Sequence, residues 1–301
     1  MVIMIEKLHK KSDISVESNV VVFRDSSTKT GDKFQFDKIA PDLLRRLDTE
    51  TDLTLRSRYE LKYIIDQARA HAIRQYIKLH MKLDKYSRLR NSRYYPVASL
   101  YFDSPDLKLC RETLTGKKNR FKLRIRSYTD EKSYPRFLEI KRRLNNVILK
   151  SRARLKFGEI DDLLRNRIIS SQHKKDFDTI NQFQLYLNYL NASPVILVRY
   201  LRQAYQADSE NTKLRVTFDD KLSYKIPRSI DTSISSSGFR NVLVGKNILE
   251  IKFTGRYPAW LSRMIKHFDL RGQSCSKYVK SLKHASFTGS LSPQLMVFGY
   301  G

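Results

Sequence analysis

The sequence predicts an α+β chain: an eight-stranded antiparallel β-barrel with a polar lumen, an apolar exterior and surrounding helices. Three observations carry that expectation. Eight segments read as strands, and in about six of them charged and apolar residues alternate with the two-residue period of a strand. Their charged faces are basic on strand after strand. Capped helical segments fall between them, placed to cover the apolar faces.

Residues 1–54 lack a clear period and carry a polar run from Arg24 to Lys33, with a helix expected over Asp37–Leu47. They read as an N-terminal extension, partly irregular. The main domain spans 55–285, and 286–301 form a C-terminal tail. Strands are expected near 56–65, 96–103, 119–128, 136–143, 147–157, 195–206, 213–220 and 247–254. Asp66 caps a helix from Gln67 to about Leu79. Ser104 and Pro105 read as an N-cap and first helical position. A further helix fits Phe177–Leu190, and another starts at Pro258 and ends before Gly272. The Ser-rich run Asp231–Gly238 reads as a loop.

Composition narrows the function classes. Apolar residues make up 41% of 301, so the chain can bury a sizeable core. The two cysteines, Cys110 and Cys275, have neither metal-ligand nor disulfide-framework spacing. No stretch approaches the ~20 apolar residues of a transmembrane helix, and the start lacks a signal-peptide core. A cytoplasmic location is the expectation. The net charge is +27, from 58 Lys and Arg against 31 Asp and Glu. Such an excess repels itself unless anions offset it.

The placement of that charge is more specific than its size. Arg120, Lys122, Arg124 and Arg126 share one strand face, with Phe121, Leu123 and Ile125 on the other. Glu139, Lys141 and Arg143 alternate with Leu138 and Ile140, and Lys150, Arg152 and Arg154 with Ser151, Ala153 and Leu155. Arg58, Glu60 and Lys62 face away from Tyr59, Leu61 and Tyr63. Glu250 and Lys252 alternate with Leu249, Ile251 and Phe253. Tyr200 pairs with Arg202, and Arg215 with Thr217 and Asp219.

A single such strand is explained by a wet sheet face. A wet face mixes signs, because like charges opposed across strands destabilise a sheet. Here the basic face recurs across about six strands, so an anion belongs against it. Curling the sheet would gather these side chains in a lumen, where they need a ligand or internal carboxylates as counter-charge. A triphosphate is a short, dense anion that suits forked Arg contacts and Lys point charges. Glu60, Glu139 and Glu250 could hold Mn2+ or Mg2+, or could neutralise neighbouring cations.

Seven segments also resemble the triphosphate tunnel metalloenzymes, and within that group the VTC domain, the polyphosphate polymerase module. They are RYELKY from Arg58, SLYFDS from Ser99, RFKLRIR from Arg120, LEIKR from Leu138, YLRQAY from Tyr200, LRVTFD from Leu214 and LEIK from Leu249. The group more broadly opens with Glu-x-Glu-x-Lys; Arg58 in the first position is similar to VTC domains. The resemblance implies an eight-stranded tunnel that transfers the ATP γ-phosphate to polyphosphate. It implies catalytic roles for Arg124, Arg126, Arg202 and Lys141. Phosphate-binding roles fall to Lys62, Arg120, Lys122, Lys150, Arg152, Tyr200, Arg215, Lys252, Ser276 and Lys277. Glu250 becomes the ligand of Mn2+ or Mg2+. A triphosphatase with the same tunnel, and a non-catalytic polyphosphate- or nucleic-acid-binding protein, stay open. No specific nucleic-acid motif is present.

Overall fold

The computed structural model describes residues 12–17, 20–25, 58–145, 147–169, 173–209, 212–227, 230–254 and 258–291. The chain divides into two units, Met1–Leu55 and Arg56–Gly301. In the first, β1 (Ser12–Glu17) and β2 (Val20–Asp25) form an antiparallel hairpin, with Ser12 opposite Asp25 and Glu17 opposite Val20. The helix expected at 37–47 lies outside the described residues.

The second unit is built on one antiparallel sheet. Its long strands are β3 (Arg58–Asp66), β5 (Tyr95–Asp103), β6 (Arg120–Ser127), β7 (Arg136–Leu144), β8 (Val147–Leu155), β9 (Ser193–Ser209), β10 (Thr212–Lys225) and β12 (Lys246–Thr254). Two two-residue strands, β4 (Lys82–Leu83) and β11 (Arg240–Asn241), pair with β9 and β10. The long strands run in the order β3-β12-β10-β9-β5-β6-β7-β8. All eight expected segments are strands.

The barrel expectation needs correction, because β3 and β8 are not paired and the sheet stays open. On β3 the Lys62 carbonyl accepts the Gln273 amide at 3.0 Å. The sheet still curls strongly. β3 and β7 are six inter-strand steps apart, about 29 Å if the sheet were flat. Yet Lys141 Nζ on β7 lies 3.1 Å from Glu60 Oε2 on β3. Side chains, not a backbone ladder, span the gap.

Strand alternation explains the outer face. Leu123, Ile125, Leu138 and Ile140 are fully buried, each contributing roughly 1.5–3 kcal/mol. They lie beneath α5 (Lys174–Leu190), whose Phe183 and Tyr186 meet Phe102 and Phe121. The other half of the outer face, with Tyr63, Val216, Phe218, Leu249 and Ile251, packs on α1 (Gln67–Ile77) and α6 (Ala259–His267) through Ile73, Ile77, Leu261 and Met264. Asp66 caps α1 as expected, accepting from the Arg69 amide.

Short helices α2 (Lys85–Arg88) and α4 (Ile160–Leu164) complete the connections. The helix expected from Ser104-Pro105 starts later, as α3 (Lys108–Leu114). Asp103 accepts the Leu109 and Cys110 amides, so the carboxylate that caps this helix comes from the strand end. Pro258 caps α6 rather than opening it. The last helix, α7 (Lys277–Phe287), was not expected. It buries Tyr278, Val279, Leu282 and Ala285 against Val97, Ile196, Val198 and Ile248. Those strand residues share a face with Ser99, Tyr200, Arg202 and Glu250. The concave face is therefore apolar at one end, where α7 covers it, and charged beyond. The expected wholly polar lumen is corrected accordingly.

Candidate functional site: a cation-lined concave face

Register sets the charged rows. Arg124 on β6 stands opposite Glu139 on β7, and Glu139 opposite Arg152 on β8. Glu139 is fully buried. Its Oε2 accepts from Arg124 Nε and Nη2 at 2.8 and 2.7 Å, and its Oε1 from Lys150 Nζ at 2.7 Å. Arg126 and Arg152 approach within 3.5 Å. Burial alone would raise the Glu139 carboxyl, but Arg124, Arg126 and Lys150 hold it well below the usual carboxylate range. Arg124 also donates to the Tyr101 hydroxyl at 2.9 Å, and Arg126 to Ser99 Oγ at 3.2 Å.

A second group gathers β3, β12, β10 and β9. Glu60 lies 2.7 Å from Lys62 Nζ, and Glu250 lies 2.9 Å from Lys252 Nζ. Arg202 forks onto Asp219 at 2.6 and 2.7 Å and reaches 3.8 Å from Glu250. Lys277, first residue of α7, meets Asp219 Oδ2 at 2.6 Å, and both Arg202 and Lys277 sit over the Tyr200 ring. Burial opposes ionisation of Asp219 and Glu250. The surrounding cations prevail and keep both carboxyls low.

Lys122 joins the two groups. Its Nζ donates to Ser276 Oγ at 2.9 Å, and among the described residues it forms no ion pair with a carboxylate. Opposite it on β7 is another cation, Lys141. Burial first, then Lys62, Lys141, Arg120 and Arg124, push the Lys122 ammonium down to about 7. Lys141 falls to about 8, where burial outweighs Glu60. Burial together with opposed like charges lowers an ammonium in this way, and an anion brought among these cations would favour their charged forms.

The structure thus gathers Lys62, Lys122, Arg124, Arg126, Lys141, Lys150, Arg152, Tyr200, Arg202, Lys252, Ser276, Lys277 and Glu250. Two expected residues share this face, Arg120 two positions before Lys122 on β6 and Arg215 opposite Lys252, and each is engaged by a group outside the charged rows. Arg120, opposite Arg143, donates to the Lys117 carbonyl at the strand entrance. Arg215 is held by Asp84 Oδ2 at 2.8 Å and the Tyr95 hydroxyl at 3.1 Å. Arg58 begins β3, and its side chain lies outside the described residues. Sequence reasoning did not single out Tyr101, Ser99 or Asp219 as site residues. The available signals were the shared face of Asp219 with Arg215 and the SLYFDS segment that holds Ser99 and Tyr101.

Among the described residues no three His, Cys, Asp or Glu side chains converge on a ready-made metal cage. Glu60 and Glu250 nonetheless share a neighbour, with Lys62 Nζ 2.7 Å from Glu60 Oε1 and 4.0 Å from Glu250 Oε1. Hard divalent cations take one or two carboxylates and complete their shell with water and phosphate oxygens. The Glu60–Glu250 pair fits Mn2+ or Mg2+ bound in that way.

No helix among the described residues is long and apolar enough to cross a membrane. No curated protein matches the sequence. A solved structure described as a "putative adenylate cyclase" from Bacillus halodurans aligns over 73% of this chain and 95% of its own, at 12% identity and a TM-score of 0.40. Those values are too low to carry fold or function across. Residues 57–286 match the family described as VTC domain. That span contains every cation and carboxylate of the concave face described above, and the chain belongs to the VTC domain family.

Proposed function

We propose that this chain is a divalent-metal-dependent polyphosphate polymerase, transferring the γ-phosphoryl group of ATP to the end of a polyphosphate chain. The observation that carries the reading is the convergence of cations from β3, β6, β7, β8, β9 and β12 on one concave face, with Lys122 unmatched by a carboxylate. In the transfer, the bond from the γ-phosphorus to the β,γ-bridging oxygen breaks and ADP leaves. A terminal oxygen of the chain forms the new P–O bond. Phosphoryl transfer asks the protein for alignment and charge stabilisation rather than covalent chemistry.

Arg124, Arg126 and Arg202 would grip the transferring phosphoryl, each already oriented by a carboxylate. Lys62, Lys122, Lys141, Lys150, Lys252 and Lys277 would hold the flanking phosphates. Glu250, with Glu60, would hold Mn2+ or Mg2+, which supplies charge neutralisation at phosphate oxygens. The carboxylates also bear on the choice of acceptor. Glu139, Asp219 and Glu250 are held low by their cations, which makes them weak bases for activating water. A phosphate oxyanion acceptor needs no base.

The test is incubation of the purified protein with ATP and Mn2+, resolved on a gel. Long-chain polyphosphate supports the reading. Free phosphate alone assigns a triphosphatase, and tight polyphosphate binding without turnover assigns a binding module.

A further inference from the structure

Asp103 ends β5 and is fully buried, yet it touches none of the cations above. Its Oδ1 accepts the amides of Ser104 at 2.8 Å and Leu109 at 2.9 Å. Its Oδ2 accepts the Cys110 amide at 2.9 Å and the Tyr278 hydroxyl at 2.5 Å. The three amide bonds are a local helix cap. The fourth crosses 175 positions of sequence to the second residue of α7. Four donors offset only part of the desolvation, and burial still pushes the Asp103 carboxyl up; a hydroxyl–carboxylate bond of this length is a strong one.

Tyr278 has site residues on both sides. Its ring stacks on Tyr101 at 4.8 Å and 20°, and the Tyr101 hydroxyl accepts from Arg124. The two residues before it are Lys277, on Asp219, and Ser276, on Lys122.

We propose that Asp103 and Tyr278 are positioning residues: a buried joint that sets the first turn of α7 and thereby fixes Ser276, Lys277 and Arg124 against the phosphates. This rests on the phosphate-transfer reading of the concave face. The joint acts through other residues, because neither member reaches the charged row. Its loss lets the turn shift, and misplacements near 1 Å are enough to weaken a geometric phosphate grip.

Tyr278→Phe is the decisive variant, since it removes one hydroxyl and keeps the ring stack and the apolar packing of α7. Tripolyphosphate affinity, measured calorimetrically without metal, should fall about tenfold. Combined with Arg124→Gln, the losses should be less than multiplicative; combined with Arg215→Gln, they should multiply. A ligand-free readout accompanies this. Cys275 is buried immediately before Ser276, and its alkylation, located by peptide mass spectrometry, should speed up in Tyr278→Phe while that of Cys110 does not. Unchanged affinity with unchanged Cys275 alkylation overturns the joint. Multiplicative losses with Arg124→Gln overturn its link to the phosphate grip. If the wild type binds no tripolyphosphate, the functional reading fails, and the alkylation rates still decide whether the joint holds the turn.

Discussion

Lys122 offers the sharpest quantitative test of the site. With its ammonium near 7, it is about 90% charged at pH 6 and about 9% charged at pH 8. An anion seated among Lys122, Ser276 and Lys141 favours the charged form and pulls the amine back toward its ordinary range. Binding at pH 8 should therefore draw about 0.9 proton onto Lys122, against about 0.1 at pH 6. The sign follows: the protonated amine is the binding form, so affinity falls as pH rises through 7. Between pH 6 and 8 Lys122 should weaken tripolyphosphate binding about tenfold, and Lys141, held near 8, should add about twofold. The assay is calorimetric titration at both pH values in buffers of different ionisation enthalpy, for wild type and Lys122→Met. The ligand's own ionisation is common to both proteins and cancels in the difference. Parallel affinity profiles and equal proton uptake in the two proteins would show that Lys122 does not face the anion.

Three further outcomes follow from the same geometry. Glu139→Gln removes the carboxylate shared by Arg124, Arg126, Lys150 and Arg152. Breaking a buried ion cluster costs roughly 3–5 kcal/mol, so the melting temperature should fall by about 6–20 °C, and added tripolyphosphate should restore part of it. In the wild type, tripolyphosphate at about 100 times its Kd should raise the melting temperature by about 5–10 °C; no shift in scanning fluorimetry removes the anion site. Glu250→Gln should lower metal-dependent turnover by at least about 100-fold while leaving tripolyphosphate binding in EDTA within about twofold of wild type. Equal turnover would take Glu250 out of the metal role.

Much of the site was legible because strand periodicity is a local property. Once Arg120, Lys122, Arg124 and Arg126 alternate with Phe121, Leu123 and Ile125, their common face follows from the pleat alone. The same holds for Lys150, Arg152 and Arg154. The pattern could not show where each face ends. Ile196, Val198 and Ile248 obey the alternation of Arg202 and Glu250, and only the packing of α7 shows that they floor an apolar end of the same surface. Nor could it show what meets β3 at Lys62. That is a single backbone bond from Gln273, and no side chain advertises it. Helix α7 escaped notice although Ser276 is an ordinary N-cap and Tyr278, Val279, Leu282 and Ala285 recur at helical spacing. Its stripe is short and interrupted by Lys280 and Lys283. Arg215 shows the reverse case. Its strand position matches the other cations, but Asp84, arriving from the start of α2, holds it.

An open sheet has two margins at which a foreign strand could dock, and this one guards each differently. The β3 margin is occupied at Lys62 by the loop that leads into α7. Among the described residues the β8 margin has no partner strand but carries Lys150, Arg152 and Arg154, so a second copy approaching edge-on would meet its own charge. The guanidinium and ammonium groups to which the proposed function gives a polyanion thus also discourage fibrous self-association, and neutralising them by mutation would put colloidal behaviour at risk.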